Sequence, residues 1–307
     1  HGAMYGVVAF YNACNAEGIR PILGCEVYVA RESRFNKTEG TRDKPYHLVL
    51  LSETTEGYRN LSRIVSTGFL DGFYYRPRVD LETLAKNSKG IIALTACLEG
   101  EVPQKLESGD ERGAVSALER YCDIFGRKNV FVEVQRNGVP GQDRLNARLV
   151  EIARRQGLPL VATNDCHYLR REDASHHEVL LCIQTATNMK DASRLRFTGD
   201  QFYLRSPEEM REIFKDLPSA VDNTGLVAER CDVRLDQGSV HLPEFPLPPG
   251  QSAASILREM AVAGLSDRTG KNPDRVRTER LSLELSMIER MGYSSYFLIV
   301  HDFVSYA

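Results

Sequence analysis

Short apolar runs alternate with amphipathic stretches over the first two-thirds of this chain, and that alternation narrows the fold before any single residue is considered. Residues 21–30, 47–51, 90–95, 130–135 and 158–163 have the length and apolar content of strands. Between them, residues 6–17, 57–66, 112–125 and 143–156 carry helical spacing. In the last of these Leu145, Leu149 and Ile152 share a face, and Gly157 follows as a C-cap. Strand–helix alternation of this kind predicts a parallel sheet or an α/β barrel. Residues 31–44 are charged, poor in apolar side chains and glycine-bearing, and are expected to form an exposed loop.

A second break comes at residues 242–250, where prolines accumulate that can neither continue a helix nor sit in a central strand. Beyond this linker, helices are predicted over residues 252–265 and 275–291. The second places Leu281, Leu285 and Ile288 on one face before Gly292. The apolar run at 296–306 is expected in a core, and no internal repeat is present. With a net charge of -3 the chain lacks a global nucleic-acid signature, so any such contact must be local. Seven scattered cysteines without a CxxC pair argue against a disulfide framework and for a reducing, cytoplasmic setting. No signal peptide and no apolar run of spanning length appears, so no membrane association is expected. The chain opens on His1 without an initiator methionine and stops within an apolar stretch, so both ends are expected to be cut from a longer protein.

The chemistry gathers at strand edges. Asp165 and His167 follow the run at 158–163 and stand two residues apart, so on an extended strand both side chains would leave one face. His1, Glu26, His47 and Cys97 lie at or near the edges of other strands. Any one of them alone reads more simply as a solvated or hydrogen-bonded side chain; together they suggest ligands delivered by successive strands to one rim. The mixture of imidazole, carboxylate and thiolate suits zinc or manganese better than magnesium or calcium. Six donors exceed the needs of one structural zinc, and Glu26 and Asp165 could bridge two ions in phosphoester hydrolysis. Of the adjacent His176 and His177, on a helical stretch, at most one can face such a site. Cys166 is expected to face away from it and to pack, and Cys25 to be buried. Arg76 and Arg78, within Phe73-Tyr-Tyr-Arg-Pro-Arg78, are candidates for nucleic-acid contact.

With those residues in view, the chain resembles the C-family replicative DNA polymerases of bacteria, the DNA polymerase III alpha subunits. The resemblance rests on Gly18-Ile-Arg-Pro-Ile-Leu-Gly-Cys-Glu-Val-Tyr-Val-Ala30, Tyr46-His-Leu-Val-Leu-Leu51 and Ala96-Cys-Leu-Glu-Gly-Glu-Val-Pro103. Ala162-Thr-Asn-Asp-Cys-His-Tyr168 and Met291-Gly-Tyr-Ser-Ser-Tyr-Phe-Leu-Ile-Val300 continue it in order. It implies an α/β fold: a distorted (β/α)7 barrel of PHP (polymerase and histidinol phosphatase) type over residues 1–235, truncated at its start. A Pro-rich linker over 236–251 and the first helices of a palm domain over 252–307 are implied to follow. His1, Glu26, His47, Cys97, Asp165 and His167 match the family's PHP ligands, and three further ligands are implied to precede residue 1.

The implied function is DNA-directed DNA synthesis in chromosome replication, with Zn2+ or Mn2+ at a 3′–5′ exonuclease or phosphoesterase site of the PHP domain. Mg2+ is implied at a polymerase site whose catalytic residues lie beyond residue 307. Implied partners are primer-template DNA, deoxynucleoside triphosphates, the sliding clamp, the clamp loader and a proofreading exonuclease subunit. The alternatives are a purely structural PHP module that docks a separate exonuclease, and a free-standing PHP phosphoesterase.

Overall fold

The computed structural model of the chain describes residues 1–37, 44–238 and 243–307. Part of the expected loop (residues 38–43) and part of the expected linker (239–242) lie outside the described residues. The chain divides into two compact units, His1–Leu235 and Asp236–Ala307.

In the first unit the order is α1 (Val7–Ala16), β1 (Gly24–Val29), β2 (Tyr46–Ser52), α2 (Thr55–Leu70), β3 (Arg78–Val79), α3 (Leu81–Lys86) and β4 (Ile91–Leu94). It continues with α4 (Glu101–Glu107), α5 (Glu111–Phe125), β5 (Val130–Gln135), α6 (Gln142–Gln156), β6 (Leu160–Thr163), α7 (Ala174–Gln184), α8 (Pro207–Ile213) and α9 (Pro218–Arg230). Six strands form one sheet in the order β3-β1-β2-β4-β5-β6. The resemblance implies seven strands; six are found among the described residues.

The expectation of a wholly parallel sheet needs correction at one strand. β3 with β1, β4 with β5, and β5 with β6 are parallel, but β2 runs antiparallel to both β1 and β4. The cause lies in the connection. No helix crosses over between β1 and β2 among the described residues, so the chain returns beside β1 in the opposite sense.

Strand alternation sorts the side chains onto two faces. Val27, Leu48, Leu50, Ala93, Val132, Val134 and Ala162 point outward and pack with Leu61 and Ile64 of α2, Leu118 and Tyr121 of α5, and Leu145 and Leu149 of α6. Fully burying a side chain such as Leu61 contributes about 1.5–3 kcal/mol. On the inner face Ile92, Leu94, Phe131 and Val161 pack with Val227 of α9 and with Cys231, flanked by Val49 and Leu51. This apolar layer closes the end of the inner face nearest Leu51. Polar side chains occupy the other end.

Local signals explain where the elements stop and start. The Thr54 side chain accepts from the Gly57 amide at 3.1 Å and caps α2. Gly157 ends α6 in the left-handed conformation at φ 61°. Asp80 caps α3, accepting from the Thr83 amide at 3.1 Å, and binds Arg34 Nη1 through both oxygens at 2.8 and 2.9 Å.

The second unit contains α10 (Ala253–Thr269), α11 (Arg275–Arg290) and α12 (Ser294–Tyr306). Ser252 and Asp274 cap the first two helices, and α10 packs against both others. Leu285 and Leu298 are buried there, whereas Phe303, Val304 and Tyr306 at the end of α12 are exposed rather than in a core. Residues 243–251 form no helix or strand. Among the described residues no helix is long and apolar enough to cross a membrane.

The Arg34–Asp80 pair yields a test. Both side chains are nearly buried, and Asp80→Ala would remove the α3 cap and leave Arg34 only its more exposed partners Glu82 at 3.2 Å and Asp71 at 3.8 Å, a loss of about 1–3 kcal/mol. Burial pushes the Asp80 carboxyl up, but hydrogen bonds from the Arg34 and Thr83 amides, the Thr83 hydroxyl and the Arg34 guanidinium outweigh it and hold it below its ordinary value. Its stabilising effect is therefore complete above the unfolded carboxylate value, about pH 4. It drains away as pH falls through the depressed folded value. Denaturant unfolding should show the wild-type advantage over Asp80→Ala at pH 7 and its decline below about pH 4.

Candidate metal centre

The sheet topology assembles the site from chain segments far apart in sequence. The carboxyl ends of β1, β4, β5 and β6 and the amino end of the reversed β2 meet at one rim, as the register pairs Tyr28 with His47 and Gln135 with Thr163. Ligands to open α/β sheets characteristically gather at such strand ends.

Glu26, His47 and Cys97 form the tightest group. One ligand atom from each lies within 4.8 Å of the others. His47 Nδ1 is 2.9 Å from Glu26 Oε1 and 3.6 Å from Cys97 Sγ. Cys97 lies beyond the end of β4, in a turn folded back onto β2. The His47 amide donates to the Glu99 carbonyl at 3.0 Å, and the Gly100 amide to the Cys97 carbonyl at 2.9 Å. A Cβ on Gly100 would sit 2.1 Å from the Thr95 carbonyl oxygen, so only glycine permits this close return. The Tyr28 ring meets the His47 ring edge-on at 5.0 Å and holds its orientation.

Asp165 and His167 reach the same rim by a route that the strand argument did not foresee. β6 ends at Thr163, and Asp165 adopts φ 47°, so no extended strand carries the pair. His167 is placed instead by its amide, which donates to the Phe202 carbonyl at 2.8 Å, and by its Nδ1, 2.7 Å from the Asp165 carbonyl oxygen. Phe197 and Phe202 pack edge-on against its ring. Its Nδ1 lies 3.9 Å from Asp165 Oδ1, and its ring is 6.4 Å from that of His1. The Gly2 amide donates to the Glu26 carbonyl at 2.8 Å and holds this segment beside β1. Of the six expected donors the structure thus brings Glu26, His47 and Cys97 together, with the Asp165 carboxyl close enough to act on Glu26 and Cys97, His167 beside Asp165, and His1 largely exposed.

The electrostatics are those of an anionic site. Burial pushes Glu26 up, but the hydrogen bond and charge of His47 oppose it and favour the ionised carboxylate. Burial, aided by the charges of Asp165, Glu26 and Glu133, lifts the Cys97 thiol to about 12. Asp165 is raised by burial against the attraction of His167. Carboxylates and a thiol crowded in this way are the arrangement that a divalent cation relieves. The mixed nitrogen, oxygen and sulfur donors fit zinc or manganese.

Several neighbouring expectations change. Arg78 is buried, and its guanidinium donates to the carbonyls of Gly72, Arg34 and Asn36, so it is spent inside the protein and unavailable to nucleic acid. Arg76 is exposed and donates to the Tyr28 hydroxyl at 2.6 Å, beside the rim. Cys166 is exposed rather than packed, because the chain leaves the strand before it. Cys25 is buried, as expected. His177 packs against the His167 ring at 5.5 Å, whereas His176 is exposed near Asp173.

Glu133 was not singled out from sequence. It lies on the inner face of β5, one step above Phe131, and burial raises it to about 7 against hydrogen bonds from Thr163, Gln135 and the Ala96 backbone. A single acid at an inward position of an otherwise apolar strand was the available signal.

A sheet of this topology with such a rim defines a PHP-type α/β domain, whose distorted barrel these strands fit. Residues 1–137 match the PHP domain family, and residues 255–307 match the bacterial DNA polymerase III alpha NTPase domain. Over its whole length the chain is 42% identical to the DNA polymerase III subunit alpha of Treponema pallidum (strain Nichols). It is 38% identical to that of Borreliella burgdorferi and 39% identical to that of Thermus aquaticus, again along the entire chain. The chain belongs to the DNA polymerase III alpha-subunit family, and covers 26%, 27% and 30% of those three relatives.

Gly100→Ala should test the turn that presents Cys97. The added methyl cannot be accommodated without moving the backbone, and we expect a loss of about 1–3 kcal/mol. Thermal unfolding of the metal-free protein would measure it, and an unchanged midpoint would contradict the geometry described here.

Proposed function

We propose that the chain is part of a replicative DNA polymerase III alpha subunit and that its first unit holds divalent cations for 3′–5′ phosphodiester hydrolysis at a primer end. The observation that carries this reading is the convergence of Glu26, His47 and Cys97, with the Asp165 carboxyl close enough to act on Glu26 and Cys97. Glu26, His47, Cys97, Asp165, His167 and His1 would hold Zn2+ or Mn2+. Such a cation supplies Lewis acidity and charge stabilisation to a phosphodiester. The protein's own contributions are orientation and shielding. Tyr28, Phe197 and Phe202 fix the imidazoles, and Arg76, exposed beside Tyr28, can meet the DNA backbone.

The activity of the whole protein, DNA-directed synthesis from deoxynucleoside triphosphates on primer-template DNA with Mg2+ at a separate site, follows from the family. The same reading would give the whole protein a cytoplasmic location and contacts with the sliding clamp, clamp loader and a proofreading exonuclease subunit. Residues 1–235 are read as the PHP domain, 236–251 as a linker and 252–307 as the start of the palm. The second unit's match to a polymerase domain disfavours a free-standing phosphoesterase. The retained donor set disfavours a structural module without a cation.

In the full-length protein, metal analysis should find zinc or manganese, and Asp165→Ala should weaken its binding by at least roughly 10–100-fold. Trimming of a 3′-labelled single strand should fall with it. Equal, stoichiometric metal in wild type and variant would refute the assignment. Residues 1–307 alone should not extend a primer, since among the described residues donors that could hold a metal come together only at Glu26, His47 and Cys97.

A further inference from the structure

Glu133 differs from every other acid at the rim. It is 4% exposed and is not one of the three grouped donors. Its Oε1 accepts from the Thr163 hydroxyl and from Gln135 Nε2, whereas its Oε2 is buried without a hydrogen-bond partner among the described residues. A carboxylate oxygen held in that state is costly, and native proteins rarely keep one without a compensating charge nearby. The charge of Asp165 acts on Glu133, and that of Glu133 acts on Cys97.

Its backbone and side chain also reach both ligand-bearing turns. The Glu133 amide donates to Thr95 Oγ1 at 2.9 Å, two residues before Cys97. Its carboxylate holds the Thr163 hydroxyl, two residues before Asp165. Each turn then enters the left-handed region at a residue other than glycine, Ala96 at φ 63° and Asp165 at φ 47°. Such conformations are unfavourable for L-residues and persist where the surroundings over-determine them. Residue 133 is one common tether of the two turns.

We propose that Glu133 is a positioning residue and buried counter-charge of the cation site: it ties the Cys97 and Asp165 turns together, and its unpaired oxygen supplies negative charge behind the ligands. This rests on the cation-site reading above and extends it to a residue outside the ligand set. Charge and tether are separable. Glu133→Gln keeps the size and an oxygen acceptor for Thr163 but removes the charge. Thr163→Val keeps the charge but removes the tether. Glu133→Asp restores the charge on a shorter arm.

The test is titration of metal-stripped full-length protein with Mn2+ and with Zn2+, following bound metal directly, together with the thermal midpoint of each metal-free form. Glu133→Gln should bind both metals roughly 10–100-fold more weakly, the range for groups that support ligands from behind. Above pH 7, where this carboxyl carries charge even without metal, its metal-free midpoint should be unchanged or higher, because an unpaired buried charge has gone. Glu133→Asp should recover part of the affinity, and Thr163→Val should lose part of it. A lowered midpoint with wild-type metal affinity in Glu133→Gln would mean that Glu133 only stabilises the fold, and would overturn the inference. Should that variant not fold, wild-type affinity in Thr163→Val would overturn it equally. Uptake by wild type with no change in any variant defeats the Glu133 inference alone. No uptake by wild type defeats the cation site and this inference with it.

Discussion

Everything at the rim depends on the two-residue period of the strands. Because successive side chains leave opposite faces, the outward set of β1, β2, β4 and β5 could become apolar, Ser52 apart, and pack under α2, α5 and α6. The inward set was thereby released from that role. Near Leu51 and Ile92 it forms a second apolar layer closed by α9, and near His47 it turns polar. A slip of one residue in β1 would exchange Glu26 for Cys25 or Val27 and bury a carboxylate among the leucines of the outer core. The outer core thus fixes the register that delivers Glu26.

The anionic rim is the complement of that arrangement. Glu26, Cys97, Glu133 and Asp165 raise one another's protonation or rely on His47 and His167 for relief. Folding alone leaves this concentration of charge incompletely balanced. That is why a cation, rather than a further hydrogen bond, would relieve the site.

Much of this was legible in the sequence, for physical reasons that differ by residue. The strand Val130–Gln135 was readable to its ends because a β-branched and aromatic run, interrupted by Glu133, is bounded by Asn129 and Arg136, and α6 because Gly157 stops it. β3 was not, since two residues show no periodicity. The donors were legible by chemistry, but the means of convergence was not: Asp165 turns left-handed where extended strand was expected, a backbone choice that no side-chain pattern announces. Arg78 was misread for a related reason. An arginine beside tyrosines looks like a surface contact until the carbonyls of Gly72, Arg34 and Asn36 are seen to close over it. Glu133 passed unnoticed because one acid in a strand is unremarkable until its neighbours in space are known.

The reversal of β2 sets the direction from which this rim can be remodelled. At β4 and β6 the chain arrives through the sheet and the donors follow the strand, so changes in the loops beyond Cys97 or His167 act after the ligands are placed. His47 is reached from outside, at the strand's first turns of pleat, by the connection that leaves Val29. Its length can vary while the register of β1 and β2 stays pinned by the outer core. A change of length between β1 and β2 would therefore act ahead of His47, whereas one beyond Cys97 or His167 acts behind a ligand that its strand has already delivered.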